Sequence, residues 1–132
     1  MKTSTSFKLF TDDRGGNLLP VEFANVDFVP LRVFVVNDVP KDAIRGEHAH
    51  YKTKQLLVCV RGSILVGLDD GTTTTEMILT EGESAYIDLF VWDYQQFLTE
   101  NAIMMVLAST EYDASDYIND KIEFYNIVRN RK

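Results

Sequence analysis

The chain has 132 residues, of which 45% are hydrophobic and 25% charged, and its formal net charge at pH 7 is −7. This length suits one domain around one core, and the apolar content excludes a disordered chain. The acidic balance argues against nucleic-acid binding, although a few arginines can hold a small anion in an acidic protein. The chain lacks both the ~18 consecutive apolar residues that span a bilayer and the apolar core of a signal peptide, so we expect a cytoplasmic protein.

Taken in chain order, the predicted elements are short strands bounded by turn residues. Runs rich in β-branched and aromatic residues predict strands at 31–36, 55–60, 63–68, 72–79, 85–87, 91–97 and 103–108. Between the third and fourth runs, Asp70-Gly71 predicts a hairpin turn, because both turn positions favour positive φ. Near the C-terminus, the acidic segment from Asp113 to Tyr117 predicts the start of a short helix.

The order of these elements indicates an all-β fold. Strand–helix–strand alternation does not occur, which argues against a parallel doubly wound sheet. Many short strands at a spacing of roughly 8–12 residues are typical of a β-sandwich or barrel. We therefore predict one all-β domain that covers residues 1–132, with a short helical segment at its C-terminus.

The two histidines of the chain, His48 and His50, form the candidate chemical centre. Residues i and i+2 of a strand point to the same face, so both imidazoles would lie close together on one side. Histidine titrates near pH ~6.5, and either ring could therefore take or give a proton at neutral pH. The alternative is a pair of structural histidines that hydrogen-bond to their neighbours and have no chemical role.

A metal site is a third interpretation of the pair. The pattern around His48 and His50 resembles the first motif of the cupin barrels, in which two histidines and a glutamate bind metal together with a later histidine. Here the glutamate position carries Gln55, whose neutral amide is a poor ligand, and the chain has no third histidine. Asp93 could complete a 2-His-1-carboxylate site, but acid–base catalysis without a metal fits Gln55 better.

Charged and aromatic residues on the neighbouring strands are candidates for ligand contact. Arg32 and Arg45 flank the histidines, and the planar fork of arginine matches phosphate oxygens. Arg32 lies within an apolar run, where a ligand anion or a buried carboxylate would relieve the cost of an unpaired charge. Tyr86 and Trp92 have the pattern of core residues, and Trp92, next to Asp93, is the aromatic side chain best placed to contact a ligand.

Four longer segments resemble the sugar-nucleotide 3,4-ketoisomerases, which are RmlC-like cupins that act on dTDP-4-keto-6-deoxyglucose. These segments are 45–50 (RGEHAH), 54–63 (KQLLVCVRGS), 68–71 (LDDG) and 112–118 (YDASDYI). Shorter matches include Asp13-Arg14-Gly15, Tyr86-Ile87 and Val91-Trp92, so the resemblance covers nearly the whole chain. It implies a jelly-roll barrel, a homodimer with shared strands, and a reaction that needs no cofactor or metal.

The resemblance also implies a reaction and a set of site residues. The 4-keto group acidifies the proton on C3, a base removes that proton, and protonation of the resulting enediol(ate) at C4 leaves a 3-keto sugar. An aminotransferase would convert this product into a 3-amino-3,6-dideoxy sugar for surface polysaccharide. The catalytic positions fall on His48, which would move the proton, and His50, which would assist or orient it. Substrate binding is assigned to Arg14, Arg32, Arg45, Gln55, Tyr86, Trp92 and Asp93.

The chain departs from this family at several positions. Phe34 and Val35 stand where members carry tyrosines, so a hydroxyl that could assist proton transfer is missing. Asp93 stands where histidine or arginine is common, and Glu47 replaces an aromatic or apolar residue. The configuration at C4 of the product is therefore left open. The alternative functions are a related epimerase acting at C3 or C5, a non-catalytic sugar-binding cupin, and a metal cupin such as a dioxygenase.

Overall fold

Two five-stranded antiparallel sheets make up most of the computed structural model, which describes residues 4–131. Its elements are β1 (Ser4–Ser6), β2 (Phe10–Thr11), β3 (Asn17–Leu18), β4 (Arg32–Val36), β5 (Ile44–His50), β6 (Gln55–Arg61), β7 (Ile64–Asp69), β8 (Thr74–Leu79), β9 (Glu83–Ile87), β10 (Trp92–Phe97), β11 (Ile103–Ala108), β12 (Tyr117–Ile118) and the helix α1 (Lys121–Asn130). The first sheet has the order β1-β9-β6-β11-β4 and the second has the order β12-β5-β10-β7-β8. The predicted all-β jelly roll with a short C-terminal helical segment is confirmed.

The main core lies between the two sheets. Leu57 and Cys59 of β6 point into this core, where they meet residues of β7, β8 and β10 from the second sheet. Leu56 and Val58 point the other way and pack in a second cluster with Phe7 of the N-terminal segment. The strand β6 is thus buried on both faces, which explains why its sequence is a continuous apolar run and not an alternating one.

The predicted hairpin between β7 and β8 is confirmed, but its turn residues differ from those predicted. The Asp70 N–H donates to the Thr73 carbonyl oxygen, which leaves Gly71 and Thr72 at the tip. Gly71 has a φ of 93°, and the expectation of positive φ at Asp70 is wrong. A Cβ on Gly71 would lie 2.7 Å from Cγ1 of Val128 on α1, so this position needs glycine for the close approach of the helix as well.

The C-terminal helix begins at Lys121, and the prediction that it starts at Asp113 is wrong. The Asp120 side chain caps α1 by accepting a hydrogen bond from the Glu123 N–H at 3.0 Å. The segment from Ala114 to Asp116 forms a single 3-10 turn and leads into β12, because hydrogen bonds to β5 and the loop after it hold Asp116. None of the helices within residues 4–131 is long and apolar enough to cross a membrane.

Candidate active site

A β-bulge in β5 decides which side chains of that strand face the interior. His48 pairs with Asp93 of β10 and Gly46 pairs with Tyr94, so Glu47 is an extra residue without a partner on β10. Gly46 and Glu47 both have positive φ, at 87° and 64°. In a regular strand residues 45 and 48 would point to opposite faces, and the extra residue brings Arg45 to the same face as His48.

A cavity of about 80 Å³ opens between the sheets beside His48, and we call it the His48 cavity. The polar side chains in its wall are Arg45, Gln55, Asp93 and Gln95, of which the first three are predicted site residues. The remaining side chains of the wall are apolar and come from both sheets: Phe34, Val36, Leu57, Met104 and Val106. The fold therefore concentrates polar groups around one histidine at the edge of an apolar core.

The electrostatic environment of His48 keeps its ring neutral at pH 7. Its pKa is lowered to about 4, mainly by burial and further by the neighbouring His50, although a hydrogen bond to the Gly46 backbone offsets part of this decrease. The two imidazole ring centroids are 5.1 Å apart, as the alternation of strand residues predicted. A neutral ring that donates one N–H to a backbone carbonyl has its other nitrogen available as a base.

The second histidine belongs to a hydrogen-bonded network centred on Asp116. Nδ1 of His50 lies 3.0 Å from Oδ2 of Asp116, and both side chains are almost fully buried. Asp116 also accepts hydrogen bonds from the Thr53 hydroxyl and from the Lys52 N–H at 2.8 Å. Burial alone would raise the pKa of Asp116, but these hydrogen bonds and His50 outweigh it and hold the pKa below its ordinary value. The carboxylate fixes the proton of neutral His50 on Nδ1 and leaves Nε2 as an acceptor.

Tyr117 is the aromatic neighbour of both histidines. Its ring centroid lies 4.4 Å from that of His50 and 5.0 Å from that of His48, and it pairs with His50 across the β5–β12 ladder. Sequence reasoning assigned no role to Tyr117 or to Asp116. The available signal was their presence in the segment 112–118, which carries part of the family resemblance.

Three buried side-chain atoms within residues 4–131 have no hydrogen-bond partner. They are Nε of Arg32, Nε2 of His50 and Oδ2 of Asp93, and all three belong to residues that the sequence analysis selected. Leaving such a group without a partner costs about 1–3 kcal/mol in stability. Unpartnered buried groups are therefore typical of binding sites, where a ligand supplies the missing hydrogen bond. The Arg32 guanidinium lies over the Phe34 and Tyr112 rings. Burial lowers the pKa of His50, and the Arg32 charge contributes to this decrease, while Asp116 opposes it.

Three predicted binding residues lie outside the His48 cavity. Trp92 precedes Asp93 on β10 and therefore points away from the interior, where it packs against Phe124 of α1 with ring centroids 5.8 Å apart. Tyr86 faces the outer cluster of the first sheet, and its hydroxyl accepts a hydrogen bond from the Asp27 N–H at 3.1 Å. Arg14 is exposed in the turn between β2 and β3, where it pairs with Asp12. The structure does not bring these three side chains together with the histidines.

A metal site would need several His, Cys, Asp or Glu side chains that converge on one point. No group of three or more His, Cys, Asp or Glu side chains within residues 4–131 is arranged to hold a metal ion. Two carboxyl groups lie near the histidine pair. Asp93 on β10 is the register partner of His48, and Asp116, beside β12, is hydrogen-bonded to Nδ1 of His50. The arrangement suits proton transfer between neutral histidine, carboxyl and substrate groups.

Comparison with known proteins identifies a consistent set of relatives. A family model described as FdtA: WxcM-like, C-terminal matches residues 2–129. The chain is 38% identical over 124 residues to the TDP-4-oxo-6-deoxy-alpha-D-glucose-3,4-oxoisomerase of Aneurinibacillus thermoaerophilus, covering 93% of this chain and 89% of that protein.

Solved structures agree with this finding. The fold matches QdtA, a sugar 3,4-ketoisomerase from Thermoanaerobacterium thermosaccharolyticum in complex with TDP, with a TM-score of 0.88 and 32% identity over 97% of this chain and 94% of that chain. An asparagine-for-histidine variant of that enzyme, in complex with TDP-4-keto-6-deoxyglucose, matches with the same TM-score and coverage and 31% identity.

Proposed function

This chain belongs to the family described as FdtA: WxcM-like, C-terminal, and we propose that it is a 3,4-ketoisomerase of a TDP-linked 4-keto-6-deoxyhexose. The observation that carries the proposal is the set of buried atoms without partners, on Arg32, His50 and Asp93, around a histidine that is neutral at pH 7. Its relatives are isomerases that act on TDP-4-oxo-6-deoxyglucose or bind TDP. This set of groups suits a substrate that has both hydroxyl and keto oxygens on adjacent carbons.

We assign to His48 the transfer of the proton between carbons. Its neutral ring accepts the proton from C3, which the adjacent 4-keto group has made acidic, and an enediol(ate) forms. The pKa of His48 near 4 makes the protonated ring a strong acid, so it gives the proton to C4 readily. The His48 ring thus moves the hydrogen from C3 to the neighbouring carbon C4.

The neighbouring residues bind and orient the sugar in this proposal. Nε2 of His50 is a buried acceptor that a sugar hydroxyl can satisfy, because Asp116 holds the proton on Nδ1. Arg45 and Gln55 contact the substrate from the cavity wall, and Arg32 supplies positive charge for the diphosphate. The roles of Arg14, Tyr86 and Trp92 in binding stay predictions from the resemblance alone.

The homodimer is supported by an apolar edge of the first sheet. The strand β4 is the last of that sheet, and Leu31, Val33 and Val35 alternate along its outer face with more than half of each side chain exposed. A second copy would cover this face. Sedimentation should show a dimer for the wild type, and Val33→Glu should shift it to a monomer.

The cytoplasmic location and the later aminotransferase step stay predictions.

The reaction can be followed by NMR with TDP-4-keto-6-deoxyglucose in D₂O. A ketoisomerase produces a 3-keto sugar and exchanges hydrogen with deuterium at C3 and C4. An epimerase exchanges at C3 or C5 alone and yields no 3-keto sugar, and a sugar-binding protein yields no exchange. A product without the 3-keto carbonyl would contradict the proposal. The configuration at C4 is read from the coupling constants of the same product.

Metal analysis tests the remaining alternative. Protein purified without chelators should contain much less than one equivalent of transition metal, and its turnover should survive dialysis against EDTA. One equivalent of metal whose removal abolishes turnover would contradict the proposed mechanism.

A further inference from the structure

The ketoisomerase reaction needs two proton transfers, and His48 accounts for one of them. The carbon-bound hydrogen moves from C3 to C4. In addition, the keto oxygen on C4 must gain a proton as it becomes a hydroxyl, and the hydroxyl on C3 must lose its proton as it becomes a keto group. The second transfer, from oxygen to oxygen, needs a group that gives a proton to O4 and takes one from O3.

We propose that Asp93 is the catalytic acid–base residue that carries this proton between the two oxygens. The inference rests on the proposed ketoisomerase function and extends the role of Asp93 from substrate binding to catalysis. Oδ2 of Asp93 starts protonated and donates to O4 while His48 takes the hydrogen from C3. The resulting carboxylate then accepts the O3 proton as C3 becomes a keto group and His48 protonates C4. Both residues return to their starting states, and no other reactant is needed.

The position of Asp93 matches this role. It is the register partner of His48 in the β5–β10 ladder, so the two side chains rise next to each other from the same face of the sheet. Its side chain is 1% exposed and lines the His48 cavity. Oδ1 accepts a hydrogen bond from Nε2 of Gln95 at 2.6 Å, which fixes the carboxyl group. Oδ2 has no partner and is the oxygen available to substrate.

No other side chain in the wall of the His48 cavity can carry the proton between O3 and O4. Its ionisable members are Arg45, His48 and Asp93, and arginine does not exchange protons near neutral pH. Gln55 and Gln95 are neutral amides, and Phe34 presents a ring without a hydroxyl. Once His48 is assigned to the carbon-bound hydrogen, Asp93 is the remaining proton carrier in this wall.

The protonation equilibrium of Asp93 agrees with the geometry. Burial raises its pKa to about 7, although the hydrogen bond from Gln95 lowers it in part. The strands on either side present His48 from β5 and the apolar Leu68 from β7, while Arg45 on β5 is the cation of the cavity wall. Both forms of the carboxyl group are therefore populated near neutral pH, which suits a residue that gives and then takes a proton.

The substitution Asp93→Asn tests the inference, because it keeps the shape of the side chain and removes its exchangeable acid proton. We expect kcat to fall by about 10²–10⁴-fold while KM for TDP-4-keto-6-deoxyglucose changes by less than about threefold. In the wild type, kcat should decrease as pH rises above about 7, because Asp93 must start protonated. This decrease should be absent in the variant. Asp42→Asn is the matched control, since this exposed carboxyl lies outside the cavity, and it should keep wild-type values.

The outcomes separate this inference from the proposed function. If the wild type forms no 3-keto sugar, the proposed function fails and the inference fails with it. If the wild type turns over but Asp93→Asn keeps its kcat and its pH profile, only the inference fails. A rise in KM with unchanged kcat would show a binding role and would also overturn it.

A measurement on the unmodified enzyme covers the case of a variant that does not fold. The side-chain carboxyl resonance of Asp93 in ¹³C-labelled protein should titrate with a midpoint near pH 7, and TDP should leave it titratable. A midpoint near pH 4 would overturn the inference.

Discussion

Two buried carboxyl groups lie on either side of the strand that carries the histidine pair, and they differ in protonation. Asp116, beside β12, is 3% exposed, and Asp93, on β10, is 1% exposed. Asp116 receives hydrogen bonds from Thr53, His50 and the Lys52 backbone, and its pKa lies below the ordinary value. Asp93 receives one hydrogen bond, from Gln95, and burial raises its pKa to about 7.

The protonation state of a buried carboxyl group therefore depends on the hydrogen bonds that it receives as well as on its burial. On the β12 side, a permanent carboxylate fixes the tautomer of His50. On the β10 side, a carboxyl group with one unpartnered oxygen can change its protonation state. The histidine pair therefore stands between a group that positions and a group that can exchange protons. Substitutions of His48, Asp116, Asp93 and Thr53 test this contrast.

His48→Asn should produce the largest loss, because it removes the proton carrier between the two carboxyl groups. We expect kcat to fall toward the upper end of the about 10²–10⁴-fold range for acid–base catalysis. Deuterium exchange at C3 should vanish with it, while TDP binding should persist. Turnover close to that of the wild type would show that another group moves the carbon-bound hydrogen.

Asp116→Asn should cause a smaller loss of kcat than the substitutions of His48 and Asp93, since the amide removes only the group that fixes the proton of His50 on Nδ1. Partners that orient metal-binding histidines are worth about 10–100-fold in affinity or activity, and we expect a decrease in kcat of similar size when His50 loses its partner. Because the folded pKa of Asp116 lies below the unfolded value, the wild type gains stability from it above pH ~4 and loses it as pH falls further.

Urea unfolding at several pH values checks the second part of this prediction. The free energy of unfolding of Asp116→Asn should depend less on pH on the acid side than that of the wild type. Parallel curves for the two proteins would contradict the assignment of Asp116 as a permanent carboxylate.

Asp93→Asn should change the pH dependence of the free energy of unfolding in the direction opposite to that expected for Asp116→Asn. The folded pKa of about 7 lies above the ordinary value of 3.8, so the wild type loses stability as pH rises through this window. Each pKa unit corresponds to about 1.4 kcal/mol, so we expect the free energy of unfolding of the variant to rise by up to a few kcal/mol relative to that of the wild type between pH 4 and 8. Thermal unfolding at both pH values measures this gain, and a constant difference would speak against a raised pKa.

Thr53→Val should have the smallest effect. It removes one of the hydrogen bonds to Asp116 with little change in side-chain volume, which costs about 1 kcal/mol in stability. The pKa of Asp116 should move up toward its ordinary value, because one donor to its carboxylate is lost. An NMR titration of the Asp116 carboxyl group would measure the shift, and an unchanged midpoint would show that Thr53 contributes nothing to it.

Much of the fold could be predicted because strands leave a local record in the sequence. The runs at 55–60 and 103–108 are rich in strand-forming residues, and β6 and β11 begin and end at or within one residue of them. The helix α1 was misplaced because Asp113 and Asp120 are both good caps, and only packing decides which of them starts a helix. The site was predicted less completely, since Asp116 is far from His50 in the sequence and contacts it only in the folded chain.

The all-β class and the shared face of His48 and His50 could be derived from the sequence, because both follow from the two-residue period of a strand. The family resemblance, carried by the segments around them, is likewise a property of the sequence. The folded chain was needed to show that the bulge at Gly46 and Glu47 turns Arg45 inward. It was also needed to show that Trp92 faces α1 while Asp93 faces the cavity. These choices depend on register and on the helix packed outside. The raised pKa of Asp93 follows from its burial in the fold, which the single hydrogen bond from Gln95 offsets only in part.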